Sequence, residues 1–223
     1  MNQAAAKPLI GVRRLLATCS IAIALAALIN AAFGAKALLT IALDGQPIAA
    51  QIGWGITFGL AISIASLVIV LFFPPFSSLR RQLLELLSRL DLGGLNPLWF
   101  GLGAGIGEEL LFRGALQPIV GVWWASLIFT LAHFRTGQFH SMNWQKLIYA
   151  TSVFIAGLFL GYVFSEIGLI AAIVTHGTVD VVWFFSVRRL SVSQTVPNHS
   201  ISLTTQKFCF GSPPRCALRR PVI

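Results

Sequence analysis

Six polar side chains lie where a hydrophobic chain should not carry them. Glu108, Glu109 and Arg113 fall in one apolar run, His133 in another, and His176 and Asp180 in a third. Each charge held at the centre of a bilayer costs at least ~2.5–3.5 kcal/mol on insertion scales. Several in one small bundle are tolerable only if they meet, so the expectation is one shared site. Carboxylates and imidazoles are the groups that take and give protons in catalysis.

Helical spacing pairs them. Glu109 and Arg113 are four apart and can form an ion pair on one helical face, while Glu108 points about 100° away and can face another neighbour. Phe129 and His133, and His176 and Asp180, share the same four-residue spacing. Counted at ~1.5 Å per residue from the outer boundary, Glu108, His133, His176 and Asp180 fall at depths of roughly 12–22 Å. All are near the middle of a ~30 Å hydrocarbon core. The bland readings are a scaffold ion pair for Glu109–Arg113 and packing roles for single histidines. Two histidines and a free glutamate at one depth favour a site.

The elements that must position them are membrane helices. Hydrophobic residues make up 56% of the 223 and charged residues only 10%, with a mean hydropathy of +0.81. A soluble domain would carry about 25% charged residues, so this surface faces lipid. Six apolar segments stand out, at Leu15–Phe33, Ile52–Phe73, Pro97–Leu116, Ile119–Phe134, Leu147–Phe164 and Leu169–Val187. An all-α, polytopic bundle of about six spans is expected over residues 1–190, with its motif-bearing core at 97–187. Only Gln117 and Pro118 separate the third and fourth segments, which predicts a tight reversal there. The first segment exceeds the 7–15 apolar residues of a usual signal peptide and reads as a retained helix.

The net charge of +9 is spread over the short stretches between spans, without the continuous basic face that nucleic acid needs. Arg13, Arg14, Arg80, Arg81, Arg89, Lys146, Arg188 and Arg189 all fall on one side if both termini are cytoplasmic. Lys36 and Arg113 are the exceptions. Leucines at 79, 83, 86, 87 and 90 give Ser77–Leu92 one apolar face, suited to a connector helix on the cytoplasmic membrane surface. Residues 191–223 are polar, basic and aperiodic, and are expected to be disordered. Cys19, Cys209 and Cys216 offer no metal spacing. The glycines at 101, 103, 105 and 107 fail the phosphate-loop pattern and read as close helix packing, as do Gly157 and Gly161.

Glu108-Glu109-x-x-x-Arg113, Phe129-x-x-x-His133 and His176-x-x-x-Asp180, in that order and each in a hydrophobic helix, resemble the three signatures of the CAAX protease and bacteriocin-processing (Abi) family. Members of that family are intramembrane endopeptidases. The resemblance covers about Pro97 to Val187. The last position is Asp here, where the prenyl endopeptidases carry Asn. The resemblance implies that Glu108 and His133 position and polarise a water, with Glu108 as general base. It implies that His176 stabilises the oxyanion with help from Asp180, and that Glu109 and Arg113 hold the motif in place. An ionised Asp180 is expected to orient His176 instead.

The same atoms permit another mechanism. Glu108, His133 and His176 could form a His₂Glu set around zinc with one position left for water; no HExxH motif decides between this and metal-free glutamate chemistry. The expected partner is a membrane protein or peptide substrate in contact with membrane lipid, in a bacterial inner membrane or an organelle membrane. Two other functions use the same features: a non-proteolytic immunity or scaffold protein of this fold, and a small transporter. The transporter reading lacks an internal repeat.

Overall fold

A computed structural model describes residues 9–33, 36–73, 76–77, 80, 84, 87, 89–134 and 144–195. The helices are α1 (Val12–Ala32), α2 (Leu38–Leu43), α3 (Ile48–Phe72), α4 (Asn96–Glu109), a π-helical segment (Leu110–Leu116), α5 (Gln117–Phe134), α6 (Trp144–Glu166) and α7 (Leu169–Thr195). Among the described residues there is no strand, only a parallel bridge between Ile10 and Leu90. The fold is an all-α polytopic bundle. α7 runs to Thr195, and the expected disordered tail beyond it lies outside the described residues, as does most of the expected connector helix at Ser77–Leu92.

Among the described residues five helical runs are long and apolar enough to cross a membrane. The expected third and fourth spans form one run, Asn96–His133, of 38 residues. A straight helix of that length would reach ~57 Å, nearly twice a hydrocarbon core. The run is broken at Gly121, whose φ of 80° and ψ of 166° are not helical. The reversal is therefore at Gly121 and not at Gln117-Pro118. Only glycine takes such a φ without strain. Pro118 stays helical for a physical reason. It has no N–H for the carbonyl four residues back, and that carbonyl, Gly114 O, accepts instead from Asn30 Nδ2 of α1 at 3.3 Å. The returning half of α5, from Val122 to Phe134, rises only roughly 20 Å and stops just after His133.

Glycines let the helices approach. Positions 101 to 107 hold two interleaved i, i+4 pairs on opposite faces of α4. A Cβ on Gly101 would lie 2.8 Å from Val181 N, and one on Gly105 would lie 2.9 Å from Ile173 O, both on α7. On the other face, a Cβ on Gly107 would lie 3.1 Å from Cys19 Cα of α1, and the Cys19 thiol donates to Gly103 O at 3.0 Å. Gly55 and Gly59 of α3 meet Val174 and Thr178 of α7 in the same way. Gly157 and Gly161 of α6 meet Ser126 and Val122 of α5. α7 is thus clasped by α3 and α4, and it carries two of the site residues.

A buried glutamine locks the α6–α7 turn. Gln51 is fully buried; its Nε2 donates to Gln46 O (2.8 Å) and Asp44 O (3.1 Å), and its Oε1 accepts from Ala171 N (3.3 Å). The last bond satisfies one of the orphan N–H groups at the start of α7. At the opposite end Ile10 N donates to Arg89 O (2.8 Å), Asp91 N to Ile10 O (3.0 Å) and Arg188 Nη1 to Gly94 O (2.7 Å). The start of α1, the approach to α4 and the end of α7 therefore share one end of the bundle. That end carries Arg13, Arg14, Arg89, Arg188 and Arg189. Large apolar side chains stand open along the helices, with Leu28, Ile64, Trp123 and Trp124 each at least 60% exposed, as a lipid-facing surface requires.

Gly105→Val should open the α4–α7 contact and lower the thermal midpoint in detergent by the equivalent of about 1–3 kcal/mol, the usual overpacking penalty. Gly53→Ala, where an added Cβ meets nothing within 4 Å, should keep or raise the midpoint, by the equivalent of up to about 1 kcal/mol from helix propensity.

Candidate active site

The site is assembled from α4, the π-helical segment, α5 and α7. Its foundation is Glu109. One carboxylate oxygen, Oε2, accepts from Arg113 Nε at 3.0 Å, with both side chains fully enclosed. The other, Oε1, accepts from His176 Nδ1 at 2.8 Å. Arg113 is carried by the π-helical segment, and its guanidinium carbon sits 5.3 Å over the Phe129 ring. A charge buried this deeply persists only when paired and hydrogen-bonded. Glu109 meets that condition with two different elements at once.

His176 is thereby oriented by Glu109. The expectation that Asp180 would do this is corrected: Asp180 Oδ2 stands 3.6 Å from the opposite ring nitrogen, Nε2, beyond hydrogen-bonding range. The carboxylate reached first by Nδ1 comes from α4, not from the next turn of α7.

Glu108 is the adjacent residue with the opposite surroundings. Its side chain is about one-third open (32%), yet Oε2 is itself buried and has no hydrogen-bond partner among the described residues. That oxygen faces His133 Nε2 at 3.7 Å and His176 Nε2 at 4.0 Å. In one straight helix Glu108 and His133 would be ~37 Å apart; the reversal at Gly121 brings them together.

The ring nitrogens sort by their partners. His133 Nδ1 lies 2.9 Å from Phe129 O and His176 Nδ1 lies 2.8 Å from the Glu109 carboxylate. Both partners are acceptors only, so each Nδ1 carries a proton and each Nε2 is left facing Glu108. Phe129 was not a candidate from residue chemistry alone, yet it organises the site. Its ring is 4.4 Å from that of His133 and 6.1 Å from that of His176, with the Phe112 ring edge-on at 5.0 Å. The signal available for it was its fixed place four residues before His133.

Glu108, His133 and His176 are donor types that zinc takes. In a tetrahedral site, donors about 2.0–2.1 Å from the ion lie roughly 3.4 Å from one another, and the two measured separations are wider. Among the described residues no group of three His, Cys, Asp or Glu side chains is placed to hold a metal ion.

Fold and site together define a polytopic membrane protein with a partly open Glu/His centre between its helices. Residues 93–182 match the model of the family described as type II CAAX prenyl endopeptidase, Rce1-like. That stretch contains all six site residues, so the resemblance read from the three motifs is shown over it. The chain is also similar to the Bacillus subtilis protein YpbD, described as uncharacterized, at 28% identity over 150 residues, which is 61% of this chain and 69% of the relative. No solved structure matches.

The two adjacent glutamates should respond oppositely to the same change. Glu109→Gln leaves Arg113 as an unpaired buried cation and should destabilise the folded protein by about 3–5 kcal/mol. Glu108→Gln changes a carboxylate whose buried Oε2 makes no hydrogen bond among the described residues, and should leave the thermal midpoint in detergent within about 1 °C of wild type (~0.5 kcal/mol or less). The check is thermal unfolding of the two purified variants side by side.

Proposed function

We propose that this chain is an intramembrane endopeptidase, hydrolysing a peptide bond of a membrane-associated protein or peptide with a water activated by Glu108 and His133. The observation that carries the reading is the convergence of Glu108 Oε2 with two imidazole Nε2 atoms at 3.7 and 4.0 Å. These gaps are too long for direct hydrogen bonds. They suit atoms that share a third, each at about 2.8 Å from it. The match to the Rce1-like family over residues 93–182 supports protease activity.

The steps follow from the groups present. Glu108 takes a proton from the water while His133 Nε2 fixes its orientation, and the oxygen bonds to the scissile carbonyl carbon. The carbonyl oxygen becomes an oxyanion. His176, with Nδ1–H bound by Glu109, stabilises it through a proton on Nε2, and the Glu109 and Asp180 carboxylates balance that cationic ring. Collapse of the intermediate breaks the C–N bond, and the proton held by Glu108 passes to the leaving nitrogen. This route uses no metal. Zinc bound by Glu108, His133 and His176 would supply an activated hydroxide at the same place.

The basic end of the bundle supports placing both termini in the cytoplasm, by the excess of Arg and Lys on that side. Glu108, twelve residues into α4, then lies roughly 18 Å from the cytoplasmic end.

Wild type and Glu108→Gln, expressed to equal levels in the membrane, should differ in the protein N-termini found in the two cultures. New termini confined to wild type establish the protease and name its substrates. Identical profiles point to a non-proteolytic immunity or scaffold role. In isolated membranes the same cleavages should persist in 1,10-phenanthroline; a loss that zinc restores replaces the metal-free route with a His₂Glu one.

A further inference from the structure

Arg113 spends only part of its hydrogen-bonding capacity on Glu109. Its Nε donates to that carboxylate, while Nη1 and Nη2 are buried and have no partner among the described residues. Gln117 Oε1 and Ser126 Oγ are in the same condition. The three side chains belong to residues that are 0%, 6% and 0% exposed. Nη1 and Nη2 of a guanidinium carry four N–H groups between them, and buried donors on a cation are costly to leave unmade.

Helix packing sets these groups side by side. Gln117 lies one turn beyond Arg113 on the same face. Its amide orientation is fixed, because Nε2 donates to Gly161 O at 2.9 Å and to Ser165 Oγ at 3.1 Å, so Oε1 is an acceptor left over. A Cβ on Gly161 would lie 2.8 Å from Gln117 Oε1. One on Gly157 would lie 3.4 Å from Ser126 Oγ and 3.5 Å from the Phe129 ring. Positions four apart on a helix have Cβ atoms about 5–6 Å apart, so both oxygens border one strip of α6. The Arg113 guanidinium carbon sits 5.3 Å over the same Phe129 ring. Cationic donors and two oxygens therefore border one another where the π-helical segment, α5 and α6 meet.

Full enclosure keeps a peptide from this guanidinium, so its partner must be small. An anion is disfavoured, because Glu109 already balances the charge of Arg113 and Gln117 Oε1 would repel it. Water suits every group. Its oxygen accepts from Arg113 and its hydrogens go to Gln117 Oε1 and Ser126 Oγ, in line with the three or so bonds of a typical buried water. We propose that Arg113, Gln117 and Ser126 form a binding site for ordered water. The water completes the hydrogen bonding of the cation that holds Glu109, and through Glu109 it braces His176. Gln117 and Ser126 lie outside the three motifs, and the site does not rest on the proteolytic reading.

The test is an experimental structure of the full-length protein in lipid, at a resolution that shows ordered water. A water oxygen should lie about 2.7–3.2 Å from Nη1 or Nη2 of Arg113 and from Gln117 Oε1 or Ser126 Oγ. Direct bonds from both Nη atoms to protein oxygens, with no water at this place, overturn the proposal. So does an anomalous peak there in protein prepared in bromide, which assigns an anion. Thermal unfolding in detergent is an independent measure. Gln117 and Ser126 share no direct hydrogen bond, so a common water is what would couple them. Gln117→Leu and Ser126→Ala should each lower the midpoint by about 2–6 °C. The double variant should fall short of their sum by about 2 °C or more. Shifts that add to within about 1 °C leave the two residues uncoupled and overturn the shared site.

Discussion

Everything in this bundle is arranged around the cost of burying Glu109. A lone carboxylate in a low-dielectric interior is prohibitive, and the protein meets that cost with a guanidinium one turn away and an imidazole from another helix. The pairing has structural consequences. It ties α4 and the π-helical segment to α7, and it commits Nδ1 of His176, so that Nε2 is the nitrogen turned toward Glu108. Adjacent residues thereby take different work. Glu109 is enclosed and fully bonded, while Glu108 is partly open and has a carboxylate oxygen with no hydrogen-bond partner among the described residues. A π-helical turn beginning right after this pair fits the tendency of such turns to mark functional sites.

That geometry depends on backbones approaching closely, and glycine makes it possible. Without a hydrophobic drive between helices in lipid, packing and interhelical hydrogen bonds supply the association. Gly101 and Gly105 seat α4 against α7, Gly103 and Gly107 seat it against α1, and Gly55 and Gly59 seat α3 on the far side of α7. The glycines at 101 and 105 bracket the approach to Glu108 and Glu109 and set their distance from His176. Gly121 contributes through conformation instead, turning the chain so that His133 returns to the depth of Glu108.

Much of this was legible in the residues. Apolar runs located the helices, the charge imbalance between loops grouped the basic ends, and the cost of buried charge predicted that Glu108, His133, His176 and Asp180 would meet. Three things were not legible, each for a physical reason. Pro118 looked like the helix breaker, but the carbonyl it leaves without a donor is taken up by Asn30, 84 residues earlier in the chain. Gln51 lies just before the expected second span and carries no sequence signal of its own, yet it is fully buried and closes the turn before α7 through long-range bonds. The carboxylate that orients His176 is Glu109 and not Asp180, a choice made by helix packing. Local spacing put Asp180 on the right face, and tertiary contact decided which nitrogen it faces.

The central claim is that Glu108 directs water onto a peptide carbonyl inside the membrane. It is tested most directly by following the oxygen atom. Purified wild type, given a cleaved substrate in a single turnover in H₂¹⁸O, should place one ¹⁸O in the new C-terminal carboxylate of the product, and Glu108→Gln should yield no labelled product at equal protein and fold. Label appearing at the same rate with Glu108→Gln would contradict the account, because water would then reach the carbonyl without the one carboxylate on which the proposed mechanism depends.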